Sequence, residues 1–304
     1  MYMKLIFLGT GGSWPSKTRN VPSIAIKYES EVILFDCGEG TQRQFMHSTL
    51  SFMQISRIFI SHFHGDHFLG LPGLIQSMYL NERSDPLEIY GPKGAEHIIS
   101  NLLKLGYFTP SYDIIIQDVE DGQTLKFDKY SVSACSVNHN VPTLAYALEE
   151  FERPGLFNKP RALELGIPEG PLFGRLQKGE SIDLDGKEIT PDMVMGPPRR
   201  GRKFVYSGDT RPSKSLIKLA SDCDVLVHDS TFDAELEQKA NDYGHSSTKQ
   251  AAEIAAKAGA KQLFLVHISP RYEDPELLES QAQTVFPNTK TASDLMEVEI
   301  KLMK

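Results

Sequence analysis

The chain has 304 residues, of which 40% are hydrophobic, and it carries a formal net charge of −8 at pH 7. This length allows one large α/β domain, and the acidic balance argues against binding of nucleic acid or anionic lipid by a uniformly basic surface. No segment reaches the roughly eighteen apolar residues of a membrane-spanning helix, and the apolar run at the N-terminus is too short for a signal peptide. We therefore expect a soluble protein with no membrane partner.

The cysteine pattern indicates a reducing compartment. Cys37, Cys135 and Cys223 are odd in number, lie far apart and fall in or beside apolar runs. A disulfide framework would need paired cysteines, whereas isolated cysteines of this kind are usually buried as small apolar residues. The sequence therefore predicts a cytoplasmic protein without disulfide bonds.

Short β-rich runs alternate with helical patterns along the chain, which is typical of a layered α/β fold. The predicted strands are residues 4–8, 23–28, 32–35, 58–61, 87–90, 130–137, 144–148, 204–207, 225–228 and 262–266. The predicted helices are residues 71–81, 94–105, 213–220 and 248–258.

Residues 151–201 differ from the rest because they are rich in Pro and Gly and lose periodicity. A stretch of this length inside a compact domain is usually functional or protruding. Residues 151–203 contain ten Lys or Arg against eight Asp or Glu, and four of these cations lie within residues 199–203. We predict one domain over residues 1–304 with an inserted, protruding basic arm at 151–201, where any polyanion should bind.

The most informative stretch is residues 61–71, Ser-His-Phe-His-Gly-Asp-His-Phe-Leu-Gly-Leu, which follows an apolar run. Its ligand-type side chains are His62, His64, Asp66 and His67. A packed core cannot easily hold so many polar groups, since each would need its own hydrogen-bond partner. Imidazole with carboxylate suits zinc and its first-row neighbours, and two adjacent ligand pairs suggest two ions. The alternative is a solvated polar turn.

Three more ligand-type residues each end an apolar strand: His139, Asp209 and His267. Strand ends at one edge of a sheet are where open α/β folds assemble their sites. A single histidine at such a position is usually structural, but three beside an existing cluster favour a shared metal site. His47 and His97 lie in helical stretches without ligand neighbours, and we interpret them as surface residues.

The His-x-His-x-Asp-His pattern and its spaced partners resemble the metallo-β-lactamase superfamily. Further motifs resemble its ribonuclease Z family, whose members trim the 3′ trailer from precursor tRNA. These are Leu-Gly-Thr-Gly-Gly-Ser at 8–13, Pro-Ser-Lys-Thr-Arg-Asn at 15–20, Phe-Asp-Cys-Gly-Glu-Gly-Thr-Gln at 35–42, the arm, and Gly-His-Ser-Ser-Thr at 244–248. The resemblance covers nearly the whole chain and implies a four-layer αββα sandwich of the metallo-β-lactamase type.

The resemblance also implies two zinc ions per chain and a role for each ligand. His62, His64 and His139 would hold one ion, Asp66, His67 and His267 the other, and Asp209 would bridge them. Asp66 lies at the position of the family's proton-accepting residue. His245 would donate a proton to the leaving oxygen or stabilise charge on the phosphate, with Asp229 fixing its tautomer. The family often carries His-Glu-Ala-Thr where this chain has His228-Asp229-Ser230-Thr231, so the carboxylate is shorter here.

The implied activity is hydrolysis of precursor tRNA after the discriminator nucleotide, leaving a 3′-hydroxyl on the tRNA and a 5′-phosphate on the trailer. A homodimer is implied, with the arm of one subunit presenting tRNA to the metal site of the other. The expected RNA contacts are Lys17, Arg19, Ser246, Ser247, Arg153, Lys159, Arg161, Arg199, Arg200 and Arg202. The alternatives are ordinary surface charge for the cations, and helix N-capping for the two serines.

No nucleotide cofactor is expected, because residues 9–13 lack both the P-loop Gly-Lys-Ser/Thr and the full Gly-x-Gly-x-x-Gly spacing.

Three other functions share part of the sequence pattern. A thioesterase of the glyoxalase II kind would lack the arm and the 244–248 motif, and a diiron oxygen reductase tends to carry Glu where this chain has His64. A non-catalytic RNA-binding subunit would be expected to lose metal ligands, and this chain keeps all of them.

Overall fold

The computed structural model describes residues 2–107 and 109–302. Its strands are β1 (Met3–Gly9), β2 (Ser23–Tyr28), β3 (Glu31–Phe35), β4 (Ile55–Phe59), β5 (Leu87–Pro92), β6 (Ile114–Val119), β7 (Thr124–Lys126), β8 (Tyr130–Ser136), β9 (Leu144–Glu150), β10 (Ile182–Leu184), β11 (Lys187–Ile189), β12 (Lys203–Tyr206), β13 (Val225–Asp229), β14 (Leu263–Val266), β15 (Thr289–Thr291) and β16 (Glu297–Glu299). Its α-helices are α1 (Thr41–His47), α2 (Gly65–Phe68), α3 (Leu71–Leu80), α4 (Ala95–Leu102), α5 (Lys159–Glu164), α6 (Pro171–Gln177), α7 (Lys214–Leu219), α8 (Glu237–Tyr243), α9 (Thr248–Ala258) and α10 (Glu276–Gln283).

Two large sheets form the centre of the fold. Their strand orders are β16-β1-β2-β3-β4-β5-β6 and β15-β14-β13-β12-β9-β8-β7. Residues 5–8 of β1 are apolar on both faces of the strand, because Phe7 packs between the sheets while Ile6 and Leu8 pack on the outer, helical side. Apolar residues of α1, α3 and α4 cover the first sheet, and those of α7, α9 and α10 cover the second. The predicted four-layer αββα sandwich is confirmed.

Parallel pairing brings several strand ends to common edges. Strands β3 to β6 are parallel in the first sheet, and β12 to β15 are parallel in the second. Their carboxyl ends are followed by polar residues: His62 comes after β4, Asp209 after β12 and His267 after β14, while Asp229 is the last residue of β13. Sheet topology therefore collects side chains that are far apart in the sequence.

The chain divides into two compact units, Met1–Glu149 with Arg202–Lys304, and Glu150–Gly201. The second unit has a small apolar core of its own, built by α5, α6 and the β10–β11 hairpin. Its ends are joined by a pair of backbone hydrogen bonds between Arg153 and Arg199, at 2.9 and 2.8 Å. The sequence showed no period here because each element has only three to seven residues and is bounded by Pro or Gly.

The predicted elements are all present, with ends that shift by up to three residues. Outside residues 151–201, prediction missed α1, α2, α8, α10, β6 and the short strands β7, β15 and β16, of which the last three have only three residues and so cannot show a clear alternation. The three cysteines are free and buried, as predicted. Among the described residues, no helix combines the length and apolar character needed to cross a membrane.

Candidate metal centre

One cluster of possible ligands joins three imidazoles to Asp209. Nε2 of His62 lies 3.0 Å from Nδ1 of His64, and Nε2 of His139 lies 3.2 Å from the same nitrogen. Oδ2 of Asp209 is 3.6 Å from Nε2 of His62. The possible ligand atoms of these four residues all lie within 4.8 Å of one another, which is the spread expected of groups that share one ion.

A second cluster is formed by Asp66, His67 and His267. Oδ2 of Asp66 lies 3.6 Å from Nε2 of His67 and 3.4 Å from Nε2 of His267. Oδ2 of Asp209 is 3.3 Å from each of the same two nitrogens. The structure therefore brings all seven predicted ligands together and places one Asp209 oxygen between the two clusters.

The donor set fits metal cations. Burial lowers the pKa of His62, His64 and His139, which favours the neutral imidazole that binds a metal. Nε2 of His67 is buried and has no hydrogen-bond partner within the described part of the chain. Burial would lower the pKa of His67 too, but the carboxylates of Asp209, Asp36 and Asp66 outweigh it and raise this pKa well above its usual value. Such concentrated negative charge is what a bound cation would balance.

A further group of contacts orients the imidazoles. Nδ1 of His67 lies 2.7 Å from Asp36, which also accepts hydrogen bonds from Ser61 and from the hydroxyl of Tyr206. Nδ1 of His267 is 2.7 Å from the Thr231 hydroxyl, and Nδ1 of His139 is 2.7 Å from the carbonyl oxygen of Gly244. Partners of this kind fix which nitrogen faces a metal. Sequence reasoning did not assign these supporting roles, although Asp36 directly follows β3, as the predicted ligands follow other strands.

His245, which is partly buried, pairs with the buried Asp229 beside the candidate metal ligands. Nδ1 of His245 is 3.0 Å from Oδ2 of Asp229 and 3.8 Å from Oδ2 of Asp209. Burial opposes a charge on His245, but the carboxylates of Asp229 and Asp209 together outweigh burial and raise the pKa of the imidazole to about 9. Asp229 is itself held by the backbone N–H of Thr210 and by the N–H and hydroxyl of Thr231. The structure therefore brings His245 and Asp229 into contact beside Asp209.

We expect Asp229→Asn to lower kcat about 10- to 100-fold with little change in KM, because the amide keeps the shape but loses the charge that orients His245. Steady-state cleavage of an RNA substrate measures both constants. Asp229→Glu is the matched control, since it restores the carboxylate and should retain most of the activity. An Asp229→Asn protein with wild-type kcat would remove Asp229 from the mechanism.

Ser246 and Ser247 lie where their polar groups are already used inside the protein. Both are fully buried. The Ser246 hydroxyl donates to the carbonyl oxygen of Thr210 at 2.6 Å, and Ser247 forms a capping box with Gln250 at the start of α9. These contacts use the hydroxyl groups of both serines inside the protein and favour the capping interpretation, while phosphate binding by the two serines stays a prediction.

Lys17 and Arg19 have different environments. Lys17 is exposed, whereas Arg19 is half-buried. Nη1 of Arg19 donates to the Thr10 hydroxyl and to the carbonyl oxygen of Ala292, both at 2.6 Å. Arg19 therefore supports its own loop, and only Lys17 of the two remains a candidate for RNA contact.

The cations of the arm that were predicted to contact RNA differ in how accessible they are to a phosphate. Lys159 and Arg161 are exposed and pair with Glu169 and Glu164, at 2.8 and 3.0 Å. Exposed pairs of this kind contribute only about 0 to 1 kcal/mol, so a phosphate can replace the carboxylate. Arg153 is partly buried and donates to the carbonyl oxygen of Arg200.

The basic run at 199–203 is not one exposed patch, because Arg202 is buried and donates to the carbonyl oxygen of Ile300. Sequence reasoning passed over Lys178 and Lys187, which lie within the Glu150–Gly201 unit. Both are exposed, and the ion pairs found among the described residues do not include them.

Comparisons with known proteins agree with this geometry. Residues 3–148 match a family model described as anti-Pycsar protein Apyc1, and residues 192–268 match the beta-lactamase superfamily domain. A ribonuclease Z from Methanothermobacter thermautotrophicus is 47% identical over 98% of this chain and 97% of its own length. One from Archaeoglobus fulgidus is 47% identical over 99% and 98%. The crystal structure of the short form of human tRNase Z is 27% identical, with a TM-score of 0.73, over 98% of this chain and 100% of that one.

Proposed function

We propose that this chain, which belongs to the ribonuclease Z family, is a zinc-dependent endoribonuclease that removes the 3′ trailer from precursor tRNA. Family membership makes it a hydrolytic endoribonuclease; the metal, the substrate and the position of the cut are the proposal. The observation that carries it is the convergence of seven metal-type ligands with the His245–Asp229 pair at one site.

Two ions would be held by the two clusters described above. His62, His64 and His139 would bind one ion, Asp66, His67 and His267 would bind the other, and Asp209 would contact both. When bound, zinc lowers the pKa of an attacking water and balances negative charge on the scissile phosphate. Imidazole and carboxylate ligands suit this metal.

The other residues of the site would transfer protons or hold the reacting side chains in position. His245, held by Asp229, is placed to donate a proton to the departing 3′ oxygen, which leaves the tRNA with a 3′-hydroxyl. Asp66 accepts a hydrogen bond from the backbone N–H of Ser13 at 2.8 Å, and this contact orients the carboxylate that would hold the metal and accept a proton from the attacking water. The trailer would then carry the 5′-phosphate.

The Glu150–Gly201 unit is proposed as the arm that binds precursor tRNA away from the cut. Its exposed cations, Lys159, Arg161, Lys178 and Lys187, would neutralise distant phosphates. We further propose a cytoplasmic homodimer in which one subunit's arm serves the other's metal site. Sedimentation of the purified chain tests this assembly.

The direct test is to incubate the purified protein with a precursor tRNA that bears a 3′ trailer and to map both new ends. We expect one cut after the discriminator nucleotide, with a 3′-hydroxyl on the tRNA and a 5′-phosphate on the trailer. Turnover of S-lactoylglutathione without RNA cleavage would instead identify a thioesterase.

We expect about two zinc ions per chain in active protein, because seven ligands exceed the four of a single tetrahedral site. Elemental analysis measures the content. Removal of metal with a chelator should abolish cleavage, and added zinc should restore it. One ion or none in a fully active preparation would contradict the two-ion site.

A further inference from the structure

The loop at residues 10–20 runs directly against the metal ligands. The backbone N–H of Ser13 donates to Oδ2 of Asp66 at 2.8 Å. Gly12 touches the imidazole of His267 so closely that a Cβ atom at this position would lie 2.4 Å from a ring carbon. Only glycine fits at that contact, so the path of the loop over the site is fixed by its sequence.

Both ends of this loop are tied to Asp294. Its carboxylate accepts hydrogen bonds from the N–H and hydroxyl of Thr10 at 3.0 and 2.7 Å, and from the N–H of Asn20 at 2.6 Å. Gln44 donates to the same carboxylate at 2.9 Å. The loop is thus held before any ligand arrives, which lowers the entropy that binding must overcome.

This fixed loop presents the only tryptophan of the chain to solvent. Trp14 is 63% exposed. Among the described residues, its indole has no aromatic or cation–π contact. It directly follows Ser13, and adjacent Cα atoms are about 3.8 Å apart, so its indole is attached one residue away from the Asp66 contact. Lys17, three residues further on, is also exposed.

We propose that Trp14 stacks on a nucleobase adjacent to the scissile phosphate, with Lys17 contacting a neighbouring phosphate; this inference rests on the proposed function. An exposed indole offers a large planar face at low entropic cost, and unpaired RNA bases are commonly bound by stacking on aromatic side chains. Stacking accepts any base, because every base has a π face. The residue would therefore hold the strand at the metal site without reading its sequence.

The test compares Trp14→Ala and Trp14→Phe on two substrates, an intact precursor and precursors with one abasic nucleotide on either side of the cut. On the intact substrate we expect Trp14→Ala to lower kcat/KM about tenfold and Trp14→Phe to lower it less. On the precursor that lacks the stacked base, Trp14→Ala should have no further effect.

Tyr107→Ala is the matched control, because Tyr107 is fully exposed but lies in the connection that enters β6 at the opposite end of the strands. It should leave all rates unchanged. An equal loss for Trp14→Ala on intact and abasic precursors would overturn the proposal. So would a change from dimer to monomer in Trp14→Ala, which would assign the indole to a protein interface.

Tryptophan fluorescence gives a second readout that does not depend on cleavage of tRNA. Because Trp14 is the only tryptophan, the intrinsic emission reports this residue alone. A short single-stranded oligoribonucleotide should quench the emission of the metal-loaded protein, and its abasic counterpart should not. If the wild-type protein failed to cleave precursor tRNA, the proposed function would fail, while this titration would still decide whether a base stacks on Trp14.

Discussion

Asp66→Ala should lower the rate of precursor tRNA cleavage by roughly 1,000-fold or more while leaving the fold intact. Asp66 lies between His67 and His267, and these imidazoles outweigh the effect of burial and hold the pKa of its carboxyl well below the usual value. The side chain is therefore ionised at working pH and faces the metal site, not the apolar core. Its removal eliminates one metal ligand and the carboxylate proposed to serve the attacking water.

Cleavage kinetics and circular dichroism check this expectation together. Asp66→Asn keeps the size of the side chain and should be nearly as inactive, which separates loss of charge from loss of packing. Asp128→Ala is a suitable control, because Asp128 is exposed in the turn between β7 and β8. An Asp66→Ala protein that cleaves at the wild-type rate would refute the proposed role.

The fold was predictable where strands are apolar on both faces. Residues 5–8 of β1 and all of β14 are continuous apolar runs because they are buried between a sheet and a helical layer, and their sequences indicate this without any partner. The three-residue strands β15 and β16 were not predictable, since they are defined by pairing with β14 and β1 and not by a period of their own. Pairing depends on tertiary structure.

In the candidate site, too, some features could be predicted from the sequence and others depend on tertiary structure. The candidate metal ligands could be found from the sequence because His, Asp and His at strand ends are chemically unusual, and the structure shows that the sheets bring them together. The residues that support the site were harder to predict. Asp294 and Thr10 are 284 residues apart in the sequence, and neither segment contains a motif that indicates their contact. Arg19 was predicted to contact RNA, and only the structure shows that it also donates hydrogen bonds to Thr10 and Ala292 within the protein.

Removing the arm should separate RNA binding from phosphodiester hydrolysis. Arg153 and Arg199 are hydrogen-bonded through both backbone groups, so residues 154–198 can be replaced by an Asn-Gly turn that joins the two chain ends directly. We expect precursor tRNA to bind roughly 100- to 1,000-fold more weakly to this variant. Hydrolysis of bis(p-nitrophenyl) phosphate should be retained, because its contacts lie within the metal site.

Salt dependence distinguishes loss of phosphate contacts from a general loss of structure. Each phosphate that is neutralised by Lys or Arg releases bound counterions, so affinity falls with salt at a slope set by the number of contacts. The intact chain should show a steep slope and the arm-deleted variant a shallow one. Lys178→Ala with Lys187→Ala should reduce the slope partially, because both side chains are exposed. Lys126→Ala, an exposed lysine on β7 outside the arm, is the matched control.

The same comparison tests the alternative that the arm has only a structural role. In that case the arm-deleted variant would bind precursor as tightly as the full chain, with an unchanged salt slope, and tRNA would have to be held by the αββα unit itself. If the variant instead lost bis(p-nitrophenyl) phosphate hydrolysis along with binding, the arm would be needed for the integrity of the metal site. Only weaker binding, a shallower slope and retained hydrolysis together assign the cations of residues 150–201 to distant phosphates of the RNA.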